Sequence, residues 1–476
     1  MNTYITTTIP YVNAQPHIGF ALELVQADAI ARYLRLCGET VRLQTGTDKN
    51  AWKNVESARA QDCSPQAFVD RNTAAFRELV TALQISADVF IRTSEERHHR
   101  AVHAVWGRLR PDDLYRRHYT GRYCVSCEDF YQERELVDGC CPEHRIPPVE
   151  VREENYFFRL SAYQAQLDEL ITSGRLAIVP VSRRNEVLSF IRQGLHDISV
   201  SRSSARSGGW GISVPGDDSQ TIYVWIDALI NYLTGLGFGD GDDWQQYWAA
   251  GNRKIHCLGK NVWKFHAVYW PALLLSAGLP LPDVLFVHGF LTVGGQKIGK
   301  SLGNAVDPFQ VIETYGVDAV RYYLLHGVPP WDDGDYSDER LQLAYNQDLA
   351  NNLGNLLSRL TTLAQRSGFR RIAHSGEPPA PAGFHEALRA FTFDTALETL
   401  WGVLTGLNQE IERTEPWKAL KAGDFAALHA YLAAWFFTLS GVAYWLAPFL
   451  PETSRKVIAI LSADPLAVAP PLFPRR

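Results

Sequence analysis

The chain has 476 residues, too many for one small core, which points to two to four domains. Hydrophobic residues make up 46% and charged residues 21%, an ordinary soluble mix, and no run reads as a membrane span. The net charge of −6 excludes a global pull toward nucleic acid, so any RNA contact must rest on local Lys and Arg clusters.

The first residues, Met1 to Ile5, hold no basic segment and no apolar signal core, which makes the cytoplasm the expected compartment. Thr3 to Ile9, rich in Thr, Tyr and Ile, predicts a buried strand. After turn residues Asn13 to Pro16, an apolar helical pattern runs from Ile18 to Leu36, stopped by Gly38. Val41 to Leu43 predicts a second strand. Strand, helix and strand in this order imply a parallel sheet with a crossover helix, of Rossmann type. The stretch from Tyr115 to Gly216 breaks the pattern with its Cys cluster, many Arg residues and a Ser/Gly-rich piece, and reads as an insertion. Arg183, Arg184, Arg202 and Arg206 lie there as a candidate RNA patch, although a solvated surface is the simpler reading. Strand patterns resume at Thr221 to Trp225, Ile255 to Leu258 and Leu285 to Val287. Beyond Asp335 the pattern is helical, with amphipathic stretches at Leu341 to Leu363 and Leu428 to Leu446, and Pro378 to Pro381 reads as a connection.

The expected fold is therefore α/β: a Rossmann-type parallel-sheet domain with an insertion, followed by an all-α bundle. The boundaries place the first half of the sheet domain at 1–114, the insertion at 115–220 and the second half at 221–290. A lysine-loop region follows at 291–345 and the bundle at 346–476.

Two short motifs suit phosphate chemistry. Pro16-His17-Ile18-Gly19-Phe20 opens the first helix, whose N-terminal N–H groups attract anions, and Gly19 allows close approach. Lys297-Ile298-Gly299-Lys300-Ser301 follows Gly294 and Gly295 and reads as a cationic loop able to stabilise a pyrophosphate leaving group. Each alone also fits a plain helix start or a glycine-rich turn. Cys124-x-x-Cys127 and Cys141-x-x-His144 have metal-ligand spacing. Three thiolates and one imidazole make a closed, structural zinc site, with Cys140 a competitor for Cys141.

The sequences around these motifs resemble the methionyl-tRNA synthetase family of class I aminoacyl-tRNA synthetases, from residue 4 to about residue 450. Ile9-Pro10-Tyr11-Val12-Asn13-Ala14-Gln15-Pro16-His17 resembles the entry to that family's active site. So do Thr45-Gly46-Thr47-Asp48, Asn185-Glu186-Val187-Leu188, Tyr223-Val224-Trp225-Ile226-Asp227-Ala228, Gly259-Lys260 and Val287-His288-Gly289-Phe290. The two phosphate motifs then stand where the family reads HIGH and KMSKS.

The resemblance implies an ATP site with Mg2+ formed by His17, Gly19, Phe20, Gly259, Asn261, His288, Gly289, Lys297, Lys300 and Ser301. His17, Lys297 and Lys300 act on the phosphates. It implies that Asp48 pairs with the ammonium group of methionine or a similar amino acid. Ile9, Tyr11, Trp225, Ala228, Tyr232, Phe265 and His266 then enclose its side chain, and aromatic walls suit a thioether. It also supports Cys141 over Cys140 in the zinc knuckle. In the bundle, Asn355, Arg359 and Trp417 match positions that read a CAU anticodon, the Trp by stacking. The expected partners are an amino acid and tRNA, with no membrane, and the expected state is a monomer.

The chain departs from the family at the nucleotide site. Phe20 replaces the second His of HIGH, Lys49-Asn50-Ala51 replaces Glu-His-Gly, Ile298-Gly299 replaces Met-Ser, and Asn261 replaces an acidic residue. The leading expectation is a methionine–tRNA ligase. The alternatives are a paralogue that delivers its aminoacyl-adenylate to a small nucleophile, and an inactive RNA-binding relative.

Overall fold

The computed structural model describes residues 2–124, 129–131, 133–142, 145–241, 244–249, 251–298, 303–370 and 377–476. Two compact units emerge: 1–16 with 39–80 and 87–287, and 17–38 with 81–86 and 288–476.

The first unit is built on a six-stranded sheet. Its strands are β1 (Asn2–Thr6), β2 (Thr40–Thr47), β3 (Val89–Arg92), β4 (Ala177–Val179), β5 (Arg253–Gly259) and β6 (Val284–His288). Between β1 and β2 the chain forms helix α1 (Ile18–Leu36), over the span the apolar period predicts. The strand order is β3-β2-β1-β5-β6-β4. β1 runs parallel to β2 and β5, β2 to β3, and β6 to β4. Tyr4, Ile5, Leu43, Ile91, Ile255 and Leu285 are buried, the mark of strands covered on both faces. Gly46 pairs with Ile91, and a Cβ there would lie 2.2 Å from the Ile91 carbonyl oxygen, so close strand approach requires glycine. The order reverses at β1, and such a switch point opens a crevice at the carboxyl ends of the strands.

Within the stretch expected as an insertion, Ala177–Val179 returns to the six-stranded sheet, and a separate four-stranded antiparallel sheet forms around the hairpin Leu114–Cys124 and Val149–Phe158, paired from Leu114↔Phe158 to Tyr123↔Val149. The four arginines of the candidate RNA patch each have a partner within this unit. Arg202 is buried, stacks 3.9 Å from the Tyr223 ring centroid and bonds the Ser201 carbonyl at 2.8 Å. Arg206 pairs with Glu153 at 3.0 Å, Arg183 with Glu186 at 2.6 Å, and Arg184 donates to the Thr172 carbonyl at 3.3 Å. The stretch Thr221 to Trp225 is not one strand: the strand ends at Ile222 and α2 (Val224–Thr234) follows. This helix is buried nearly all round, so its start has no polar period to tell it from a buried strand.

The second unit holds α1 and the C-terminal helices: α3 (Val317–His326), α4 (Asn355–Ser367), α5 (Phe393–Thr414), α6 (Pro416–Ala422), α7 (Phe425–Leu446) and α8 (Pro451–Ser462). Fully buried Arg321 on α3 bonds the carbonyls of Leu83, Pro448 and Phe449 and pairs with buried Asp28 of α1 at 2.8 Å. Helix α7 runs 22 residues and is long and apolar enough for a membrane span, which corrects the expectation that no run reaches that length. Leu428, Leu432, Trp435, Leu439, Val442 and Leu446 are buried, and α7 packs on α4, α5 and α8 as a bundle core helix.

Candidate functional site

The candidate amino-acid pocket lies in the first unit, at the carboxyl ends of β1 and β2. Tyr11 forms an isolated parallel bridge with Asp48, whose N–H donates to the Pro10 carbonyl at 2.9 Å. Asp48 is fully buried. Its Oδ1 accepts from the Asn50 N–H and the Thr93 hydroxyl, both at 2.9 Å, while its buried Oδ2 has no hydrogen-bond partner. Burial, then the charge of Asp227, pushes the Asp48 carboxyl well above the usual range, against those two hydrogen bonds. A bound cation reverses that penalty, so the geometry suits an ammonium group.

Trp225, Ala228 and Tyr232 occur at i, i+3 and i+7 of α2, hence on one face. Phe265 and His266 belong to a π-helical turn, Phe265–Tyr269. The Trp225 and Phe265 rings stack at 3.9 Å with planes 6° apart, and Tyr11 lies 6.0 Å from Trp225. His266 Nδ1 faces the Val262 carbonyl at 3.0 Å, which only accepts, so Nδ1 carries the proton. The Tyr232 hydroxyl therefore donates to His266 Nε2 at 2.6 Å. The result is an aromatic wall with one fixed polar pair beside a buried carboxylate. Ile9 precedes this bridge and is partly buried.

Sequence reasoning gave no role to four neighbours: Asn50, Thr93, His98 and Asp227. Asn50 Nδ2 donates to Asp227 Oδ2 at 3.3 Å, and Thr93 holds Asp48. His98 lies 3.8 Å from Asp227 Oδ1, and burial pushes its pKa down to about 3, so it is neutral. A lone acid inside the apolar helix 224–234 was the available signal.

The phosphate residues fall in both units. In the first, Gly259 ends β5, and Asn261 is exposed in the turn after it. In the second, His17 caps α1, and its Nδ1 accepts from the Gly19 N–H at 3.1 Å, which leaves the neutral ring's proton on Nε2. The Phe20 ring lies 4.4 Å from the His17 ring. A Cβ on Gly19 would come 3.7 Å from Ile298, so the two motifs approach each other within this unit. Lys297 lies on a hairpin, Leu291–Val293 with Gln296–Lys297, whose turn residues Gly294 and Gly295 both have positive φ, at 62° and 72°. Asp335 anchors that turn through the Gly295 N–H at 2.8 Å. The Lys297 ammonium sits 5.3 Å above the Phe290 ring. His288 Nε2 meets Glu23 at 2.8 Å, and a Cβ on Gly289 would strike the Asp332 carbonyl at 2.1 Å. Lys300 and Ser301 lie outside the described residues.

Cys124 and Cys141 are fully buried and Cys140 is partly exposed, while Cys127 and His144 lie outside the described residues. In the bundle, Asn355, Arg359 and Trp417 line one cleft of about 600 Å³ with Asn351, Ser358 and Asn408. Trp417 is 40% exposed. Arg359 is held by Glu412 and by Asn408 Oδ1.

The family model described as tRNA synthetases class I (M) matches residues 3–150 and 144–361. A methionine–tRNA ligase of Brucella suis biovar 1 is 42% identical over 513 residues, covering 99% of this chain and 97% of that protein. One from Thermotoga maritima is 39% identical and covers 98% of this chain and 76% of that protein. The Mycobacterium tuberculosis methionyl-tRNA synthetase in complex with methionyl-adenylate superposes with a TM-score of 0.90 at 38% identity, covering 99% of both chains. With this motif set, this fold and matches over nearly its whole length, the chain belongs to the class I (M) tRNA synthetase family.

Proposed function

We propose that this protein activates methionine with ATP as methionyl-adenylate and transfers the methionyl group to tRNA. The observation that carries the reading is the buried, unpartnered Asp48 Oδ2 beside the Tyr11–Trp225–Phe265 wall, in a chain of this family. Asp48 receives the ammonium group, and the aromatic wall takes the thioether. The substrate carboxylate oxygen then attacks the α-phosphorus in line, the bond to the β-phosphate oxygen breaks, and pyrophosphate leaves. His17 Nε2–H, Lys297 and Lys300 stabilise the charge that builds on the phosphates, and Gly19, Phe20, Gly259, Asn261, His288, Gly289 and Ser301 are the other ATP-binding residues of this reading. A terminal ribose hydroxyl of tRNA attacks the acyl carbon, and AMP leaves. Asn355, Arg359 and Trp417 receive the anticodon.

Mg2+ enters with ATP as the phosphates' counter-ion. The complete burial of Cys124 and Cys141 supports a structural zinc site completed by Cys127 and His144. The five-part division at 114, 220, 290 and 345, with Ala177–Val179 of the second part returning to the six-stranded sheet, a monomeric state and a cytoplasmic location away from membranes belong to the same reading.

Phe20, which cannot donate a hydrogen bond, favours a second reading: an adenylate former that serves a small nucleophile. Two assays separate them. Methionine-dependent exchange of pyrophosphate into ATP tests activation, and methionine charging of a CAU-anticodon tRNA tests transfer. Exchange without charging replaces the tRNA reading with the small-nucleophile one, and neither activity rejects both.

A further inference from the structure

We propose that Asn50 is a positioning residue, tying Asp227 to Asp48 and so aiming the Asp48 carboxylate at the amino group of the substrate. The proposal rests on the reading that Asp48 receives that group. Asn50 stands at the middle of Lys49-Asn50-Ala51, one of the places where the chain departs from its family's pattern. It is only 9% exposed. Its backbone N–H and the Thr93 hydroxyl both bind Asp48 Oδ1 at 2.9 Å. Two donors on one oxygen fix the rotation of the carboxylate and leave the buried Oδ2 as its open acceptor. The Asn50 side chain braces the same turn. Its Nδ2 donates to the Thr93 carbonyl and to Asp227 Oδ2, each at 3.3 Å.

His98 also lies beside Asp227: its Nδ1 is 2.9 Å from Thr234 Oγ1 and its Nε2 is 3.8 Å from Asp227 Oδ1. Asn50 Nδ2 bonds the Asp227 carboxylate itself, at Oδ2, whereas His98 Nε2 lies beyond hydrogen-bond distance of Oδ1. A histidine in this place offers one ring N–H where Asn50 offers two amide hydrogens, so the donor toward Asp227 survives the change of residue.

The test separates aiming from general packing. Calorimetric titration of the full chain uses two probes: L-methioninol, which keeps the amine and lacks the carboxylate, and desaminomethionine, which lacks the amine. Asn50→Ala should weaken L-methioninol binding about 5- to 10-fold, the scale of one lost hydrogen bond, and leave desaminomethionine within about twofold. Asn50→His should restore L-methioninol binding to within about threefold of the wild type. Asn50→Ser, polar but too short to reach Asp227, should repeat the selective loss and serves if the alanine variant does not fold. Equal loss of both probes, or no loss of either, overturns the proposal while the wild-type pocket stands. A wild type that binds neither probe overturns the pocket reading itself, and the proposal with it.

Discussion

Trp417→Ala should separate RNA recognition from amino-acid activation. The indole lines the cleft with Asn355 and Arg359 and is 40% exposed, so much of the ring is open to a partner. Base stacking on an aromatic ring contributes about 1–3 kcal/mol, and each 1.4 kcal/mol is tenfold, so tRNA charging at limiting tRNA should fall by about 5- to 150-fold. Trp417→Phe, which keeps a smaller ring, should fall between. Most of the residue is still buried, so the exchange assay on the same preparation also reports whether the fold survives. The assay pair is initial-rate charging of CAU-anticodon tRNA against methionine-dependent pyrophosphate exchange on the same preparation. Exchange should stay within about twofold, since Trp417 belongs to the bundle and touches no group of the reaction. Equal losses in both assays would make Trp417 a structural residue, and unchanged charging would remove it from the RNA site.

His17→Ala should cut pyrophosphate exchange by about 100- to 1000-fold, the scale for one lost transition-state donor, and unaffected turnover would reject the phosphate site. Arg321→Met should cost about 3–5 kcal/mol in urea denaturation, because it leaves Asp28 buried and strands three carbonyls; a loss below about 1 kcal/mol would refute this. Burial opposes the charge of Asp28, but Arg321, Arg32 and Ser86 outweigh it and hold its carboxyl below the usual carboxylate range. A lowered folded pKa stabilises the fold above the unfolded value near pH 4, and that contribution should vanish as pH falls through the folded value. Denaturation midpoints from pH 6 down to pH 3 should therefore fall less steeply in Asp28→Asn than in the wild type. Cys141→Ser should lower bound zinc per chain in elemental analysis, and an unchanged zinc content would remove Cys141 from the ligand set.

The sequence exposed those features that are local. The strand–helix–strand opening is legible because turn residues, an apolar period and Gly38 lie within forty residues of one another. The short strands β3 and β4 carry too few residues for a period, and their pairing is set by β2 and β6. The start of α2 looked like a strand because burial removed its polar face. The Asp48–Asn50–Asp227 arrangement was out of reach for a different reason. Its two halves are brought together only by the sheet and α2, and no spacing rule connects them.

The departures from the family pattern are consequently of different kinds. Asn50 keeps a donor toward a buried carboxylate, so its difference in letter is small in hydrogen-bond terms. Ile298 is buried and apolar where the family has methionine, a change of shape more than of chemistry. Phe20 is the substitution that removes a donor outright, and its ring packs on His17, the residue left to do that work. Phe20→His is accordingly the sharpest test of whether the site is impaired or rebuilt. If His17 works alone at a site otherwise intact, the added donor should raise exchange by about tenfold, part of what a fully preorganised donor supplies. If activity falls, the Phe20 ring is holding the His17 imidazole in its working orientation, and this site is built around that contact.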